Sequence, residues 1–189
     1  MAQNLCVHSL LSKFKPMKEH TISVATANMM GFGLLLPILL VTGIPYILVN
    51  GFTIGEMSVP SIVILFAVMI PGIVIHELLH GIVWALCQKQ GWKVIHFGFN
   101  KEWLTPYCHC SVPMKVWCYS LGGVMPLIVL GILPVIIGTV YASFAVWIFG
   151  AFFSIAAGGD IIALWMIRKF PRHQLVQDHP EKMGFILID

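Results

Sequence analysis

His76-Glu77-Leu78-Leu79-His80 sets two imidazoles four residues apart, with a carboxylate beside the first. On a helix, positions i and i+4 share a face, so both rings can reach one metal ion. Glu77 is offset from that face. It can take a proton from a metal-activated water and later return it to a leaving amine. Chance supplies this spacing only ~0.01 times in a chain of this length and composition. The flanks Ile73-Val74-Ile75 and Gly81-Ile82 are uncharged, as a helical metal site needs. The competing reading is a pair of histidines bonding between helices, with Glu77 held by a cation. No Lys or Arg lies in the apolar segments described below, which weighs against it.

A catalytic zinc usually takes three protein ligands and a water. No ligand-type residue follows His80 before Cys87, so the third must come from elsewhere. Asp160 is the first choice, with an interhelical hydrogen bond as its alternative role. Gly158 and Gly159 precede it, and small residues let helices approach closely. That would bring Asp160 near the helix of the motif. Cys108-His109-Cys110 also holds ligand-type residues. Its C-x-C spacing is not that of structural zinc sites, and in a strand the two thiols face away from His109.

The elements that carry these residues belong to a membrane. Hydrophobic residues make up 58% of the 189 and charged residues 10%, and the mean hydropathy is +0.89. Soluble domains carry about 45–50% and roughly 25%. An ordinary soluble domain, a disordered chain and a phosphate-driven nucleic-acid binder are excluded; no nucleic-acid partner is expected. Four stretches can span a bilayer, which needs about 20 apolar residues: 29–49, 59–87, 119–140 and 143–167. Together they make one membrane α-helical domain over 29–170, between an N-terminal segment (1–28) and a tail (171–189). Pro71 and Gly72 lie one turn before His76, where a kink could admit water.

Charge fixes the orientation. Lys13, Lys15 and Lys18 precede the first span. Lys89, Lys93, Lys101 and Lys115 lie between the second and third, and Arg168, Lys169, Arg172 and Lys182 follow the fourth. By the positive-inside rule both termini and the 88–118 loop are cytoplasmic. His80 and Asp160 then each lie seven residues short of the cytoplasmic end of their span, about 10 Å deep. That common depth is the reason to choose Asp160. All five cysteines map to the cytoplasmic side, so no disulfide is expected. His8, His20, His173 and His179 read as solvated tail residues.

Within the loop, residues 92–112 alternate in a strand-like way around a turn at Asn100–Pro106, which predicts a short β-hairpin. Its edge could hold an unwound peptide segment. Ile95, Phe97, Phe99, Tyr107 and His109 are its candidate substrate-binding residues. Alternatively, the hairpin merely covers the cytoplasmic opening.

An Ile75-His76-Glu77-Leu78-Leu79-His80-Gly81 run inside a span, then a hairpin and a later intramembrane Asp, resembles the site-2-protease class of intramembrane zinc metalloproteases. The short four-span layout is similar to a bacterial zincin peptidase family catalogued as a domain of unknown function. The resemblance covers roughly residues 60–170. It implies zinc held by His76, His80 and Asp160, Glu77 as base, a membrane-associated protein or peptide as substrate, and a place in the bacterial cytoplasmic membrane. The chain departs from the class in two places. Gly158-Gly159-Asp160-Ile161 replaces the usual Asp-Gly, and Gly122-Gly123-Val124-Met125-Pro126 is only loosely similar to the pattern of the third core helix. The expected function is zinc-dependent intramembrane peptide hydrolysis. The alternative is a non-proteolytic membrane metal-binding or structural protein with a zincin-like core. A carrier needs ligands but no base, so Glu77 favours catalysis.

Overall fold

The computed structural model describes residues 16–52, 57–100, 105–179 and 182–188. Strand β1 (Pro16–Ile22) leads into helix α1 (Val24–Asn50), and α2 (Val59–Cys87) follows. Each helix starts at a serine whose hydroxyl accepts a first-turn N–H, Ser23 from Thr26 and Ser58 from Ser61, the usual N-cap arrangement. A 3-10 turn (Gly91–Val94) ends in the hairpin β2 (Ile95–Asn100) and β3 (Thr105–Cys110). After β4 (Met114–Lys115) come α3 (Val116–Pro126), a π-helical stretch (Leu127–Ile132) and α4 (Leu133–Val140). Helices α5 (Phe144–Ala156) and α6 (Gly158–Ile167) then precede strands β5 (Leu175–Asp178) and β6 (Met183–Ile188).

Three helical rods are long and apolar enough to cross a membrane: Met29–Asn50, Val59–Cys87 and Val116–Val140. The stretch read as a single fourth span is two helices, α5 and α6, bent by 46° around Ala157. It makes a fourth crossing if the pair counts as one. The third rod is not regular either. Pro126 offers no backbone N–H, and the π-helical stretch follows at once.

The termini are more ordered than a pair of solvated tails. β1, β6, β5 and β4 form an antiparallel sheet in that order, with Glu19 opposite Ile186 and Met114 opposite Val176. His20 packs against Phe170 and Phe185 at ring distances of 5.0 and 5.6 Å. His179 is largely buried and lies 3.8 Å from Glu19. Neither is the solvated histidine expected of a tail, because the short apolar runs 175–176 and 185–188 make strands that cover them. His173 is exposed, and His8 lies outside the described residues.

The hairpin forms where expected. Ser111 N–H donates to Val94 C=O at 2.9 Å, which sets the parity of the ladder. His96–His109 and Gly98–Tyr107 are therefore hydrogen-bonded pairs. Phe97–Cys108 and Phe99–Pro106 are not, and their backbone groups point outward. Pro106, which has no N–H to give, suits such a position. One face of the hairpin lies on α2: a Cβ at Gly81 would sit 2.6 Å from the Phe97 ring and 3.2 Å from Ile95.

The core gathers where α2 ends and the sheets begin. It includes Trp84, Ile95, Cys110, Met114, Tyr119, Ile167, Val176 and Phe185. Cys87 and Cys118 form a disulfide there, with Cα atoms 6.3 Å apart. This corrects the expectation of none. The end of α2 and the start of α3 meet at one level, and compartment alone does not report that proximity.

Candidate metal centre

His76 and His80 project from one face of α2, with rings 5.1 Å apart. Asp160 reaches them from the first turn of α6. Its Oδ2 lies 3.1 Å from His76 Nε2, and its Oδ1 lies 3.4 Å from His80 Nε2. One ligand atom from each residue falls within a 4.8 Å span, and no other such group of three occurs among the described residues. Both imidazoles are buried. His80 and Asp160, read from sequence at one depth, are in contact. The route differs from the one expected. Gly158 faces Gly31 of α1, and Gly159 faces Met183 of β6. The two glycines let α6 approach α1 and the sheet rather than α2, and the Asp160 carboxylate covers the remaining gap.

A further group sets the tautomer. His80 Nδ1 lies 2.9 Å from the Gly122 carbonyl of α3. A carbonyl only accepts, so Nδ1 carries the hydrogen, and a neutral His80 presents its Nε2 lone pair to Asp160. Two acceptors 3.4 Å apart repel unless a cation or a proton lies between them. Neighbouring ligands of a tetrahedral zinc are about 3.4 Å apart. The donor set and its spacing therefore fit zinc.

Close packing holds this arrangement. The Trp84 ring lies between the rings of His80 and Tyr119, 5.5 and 5.6 Å away. Its indole N–H donates to the Tyr119 carbonyl at 3.4 Å. A Cβ at Gly122 would fall 2.0 Å from Trp84 Nε1, so only glycine lets α3 bring that carbonyl to His80. Gly122, Trp84 and Tyr119 were not singled out as site residues from sequence. The Gly122-Gly123 pair was the one available signal, and it marks close approach without saying to what.

Glu77 leaves α2 on another side and is partly exposed. Its carboxylate faces the backbone of Cys108 on the edge of β3. The candidate substrate residues divide between two faces. Ile95 is in the core, while Phe97 and Phe99 share its face and are half exposed. Tyr107 and His109 lie on the other face, where the Tyr107 ring covers Gly98 and His109 Nδ1 donates to Asp178 at 2.8 Å. Cys108 and Cys110 face α2, opposite to His109, so the C-H-C run does not converge on a metal. Burial raises both thiols, that of Cys110 to about 11.

A family model described as "Putative zincin peptidase" matches residues 69–175. The chain belongs to this family. The match spans the site half of α2, the hairpin, α3 to α6 and the first residue of β5, and so takes in His76, Glu77, His80 and Asp160. A zincin peptidase is a zinc metallopeptidase by class, and the cluster described above is where such a metal fits. No curated protein and no solved structure matches the chain.

Proposed function

We propose that this zincin peptidase is a zinc-dependent intramembrane metallopeptidase of the site-2-protease type, cutting membrane-associated polypeptides. The reading rests on one observation: His76, His80 and Asp160 converge while Glu77, next in sequence to a ligand, stays outside the cluster. Zinc, when bound, supplies Lewis-acid activation of a water and of the scissile carbonyl. The chain supplies the rest. Gly122 holds His80 in one tautomer. The Glu77 carboxylate receives the proton of the attacking water and delivers it to the leaving nitrogen. The outward carbonyls of Pro106 and Cys108 on β3 offer acceptors to the N–H groups of an extended substrate, whose pairing a helical one lacks.

Pairing of β1 with β6 supports four crossings. Strands from the two ends of the chain share one sheet, so an even number of spans lies between them. The bent pair α5–α6 then counts as one span. With the segregation of Lys and Arg, this supports a cytoplasmic sheet, hairpin and both termini. A reporter near Lys101 or after Asp189 should read cytoplasmic, and one near Gly55 external. An external signal at Lys101 defeats this orientation. For the chemistry, purified protein should carry about one zinc and cleave fluorescein-labelled casein until a chelator is added. Metal-free protein that cleaves equally well would refute the reading.

A further inference from the structure

The tail strand β5 reaches the edge of the hairpin through two adjacent residues. Asp178 accepts from two elements at once: His109 Nδ1 of β3 at 2.8 Å on Oδ2, and the Tyr119 hydroxyl of α3 at 3.4 Å on Oδ1. The side chains of Asp178 and His109 are largely buried, and Tyr119 is buried. Beside it, Gln177 donates from Nε2 to the Cys110 carbonyl at 2.7 Å. By the ladder parity that carbonyl is another outward group of β3. The Gln177 Oε1 is buried without a partner among the described residues. Such an orphan is costly, so the bond to Cys110 is held against a penalty. These three bonds join positions 59 to 69 residues apart in sequence. Two of them act on His109 and Cys110, the residues that follow Cys108, whose backbone faces Glu77. Tyr119 continues through Trp84 to the ring of His80. One carboxylate therefore fixes the hairpin to α3, the helix whose Gly122 carbonyl holds His80. Asp178 lies beyond residue 175, where the family match ends.

We infer that Asp178 is a positioning residue of this peptidase: it fixes the β3 edge opposite Glu77, so that an extended substrate segment meets that carboxylate in a single register. The inference rests on the proposed peptidase reading. Asp178 touches neither metal nor substrate and acts through His109 and Tyr119.

The test uses the full chain in detergent with zinc bound. Asp178→Ala should raise KM for fluorescein-labelled casein about tenfold, the scale of a lost charged hydrogen bond, with kcat and bound zinc near wild type. Hydrogen exchange over residues 105–112 should quicken while that over 145–156 stays unchanged. His109→Ala should reproduce both effects from the other end of the bond, which covers the case in which Asp178→Ala does not fold. His109→Gln, which keeps a donor, should restore much of the loss. Unchanged exchange over 105–112 overturns the inference. So does loss of zinc in step with KM, because Asp178 would then serve the metal centre itself. If the unsubstituted protein does not cut casein at all, the peptidase reading fails separately. The exchange measurement still decides whether Asp178 fixes the hairpin.

Discussion

Helix α2 contains two different environments along one apolar rod. From Val59 to Ile75 its side chains are largely uncovered, among them Val63, Ile64, Phe66, Ile70 and Val74. From His76 to Ala85 it is mostly enclosed, with His76, His80, Gly81, Val83, Trp84 and Ala85 all buried. Apart from His76, Glu77 and His80, both halves carry apolar residues on every side, so apolarity alone does not say which half is enclosed. The difference lies in what covers each. The first half is left largely uncovered by the rest of the protein. The second is covered by the hairpin, the 3-10 turn and α3, where polar groups can be fixed at low cost. The His76, His80 and Asp160 cluster sits where the protein itself supplies the surroundings.

The comparison can be broken most directly at the enclosed end. His76→Ala, His80→Ala and Asp160→Ala should each bring bound zinc from about one per chain to near zero, read by mass spectrometry on folded protein. His96→Ala, on the exposed face of the hairpin, should keep it. Next comes Glu77→Gln, which should retain the metal but lose about 10²–10⁴-fold in turnover of labelled casein. Full turnover in that variant would show that Glu77 is not the base. Gly122→Ala should act more mildly. The new methyl pushes on Trp84 and shifts the carbonyl that holds His80, costing about 1–3 kcal/mol in thermal unfolding and about 10–100-fold in zinc affinity.

A smaller effect is expected at the thiols facing α2. Cys110 is fully buried and burial pushes its thiol up to about 11, so iodoacetamide at pH 8 should leave it unmodified in the folded protein and label it only after unfolding, read by mass spectrometry. The smallest effect belongs to the uncovered half of the helix. Val63→Leu or Phe66→Leu should stay within about 0.5 kcal/mol of wild type and leave zinc content unchanged. A large loss there would mean that this half, too, is enclosed by protein.

Much of the metal centre was legible because side-chain ligands announce themselves. The i, i+4 histidines need only a helix, and Asp160 is a rare charge in an apolar stretch whose depth can be counted. Gly122 was not legible, since a backbone carbonyl has no residue type. The hairpin was readable from local alternation and a turn. The four-stranded sheet was not: Glu19 meets Ile186 across most of the chain, and nothing local to either residue reports that pairing. The break at Ala157 was also hidden, because Gly158-Gly159 reads equally as close helix packing. Asp178 carried no signal in a tail read as solvated.

The disulfide between Cys87 and Cys118 makes the hairpin part of a covalent ring that also holds the 3-10 turn and β4. A single cut inside that ring leaves one molecule. Trypsin acting at Lys93 or Lys115 would leave the band on a non-reducing gel intact, and two fragments would separate only after a thiol is added. The ring also outlasts unfolding, since the denatured chain keeps the ends of α2 and α3 together and has fewer conformations open to it. The segment that carries the hairpin can therefore be nicked or melted and still return to the same two helices.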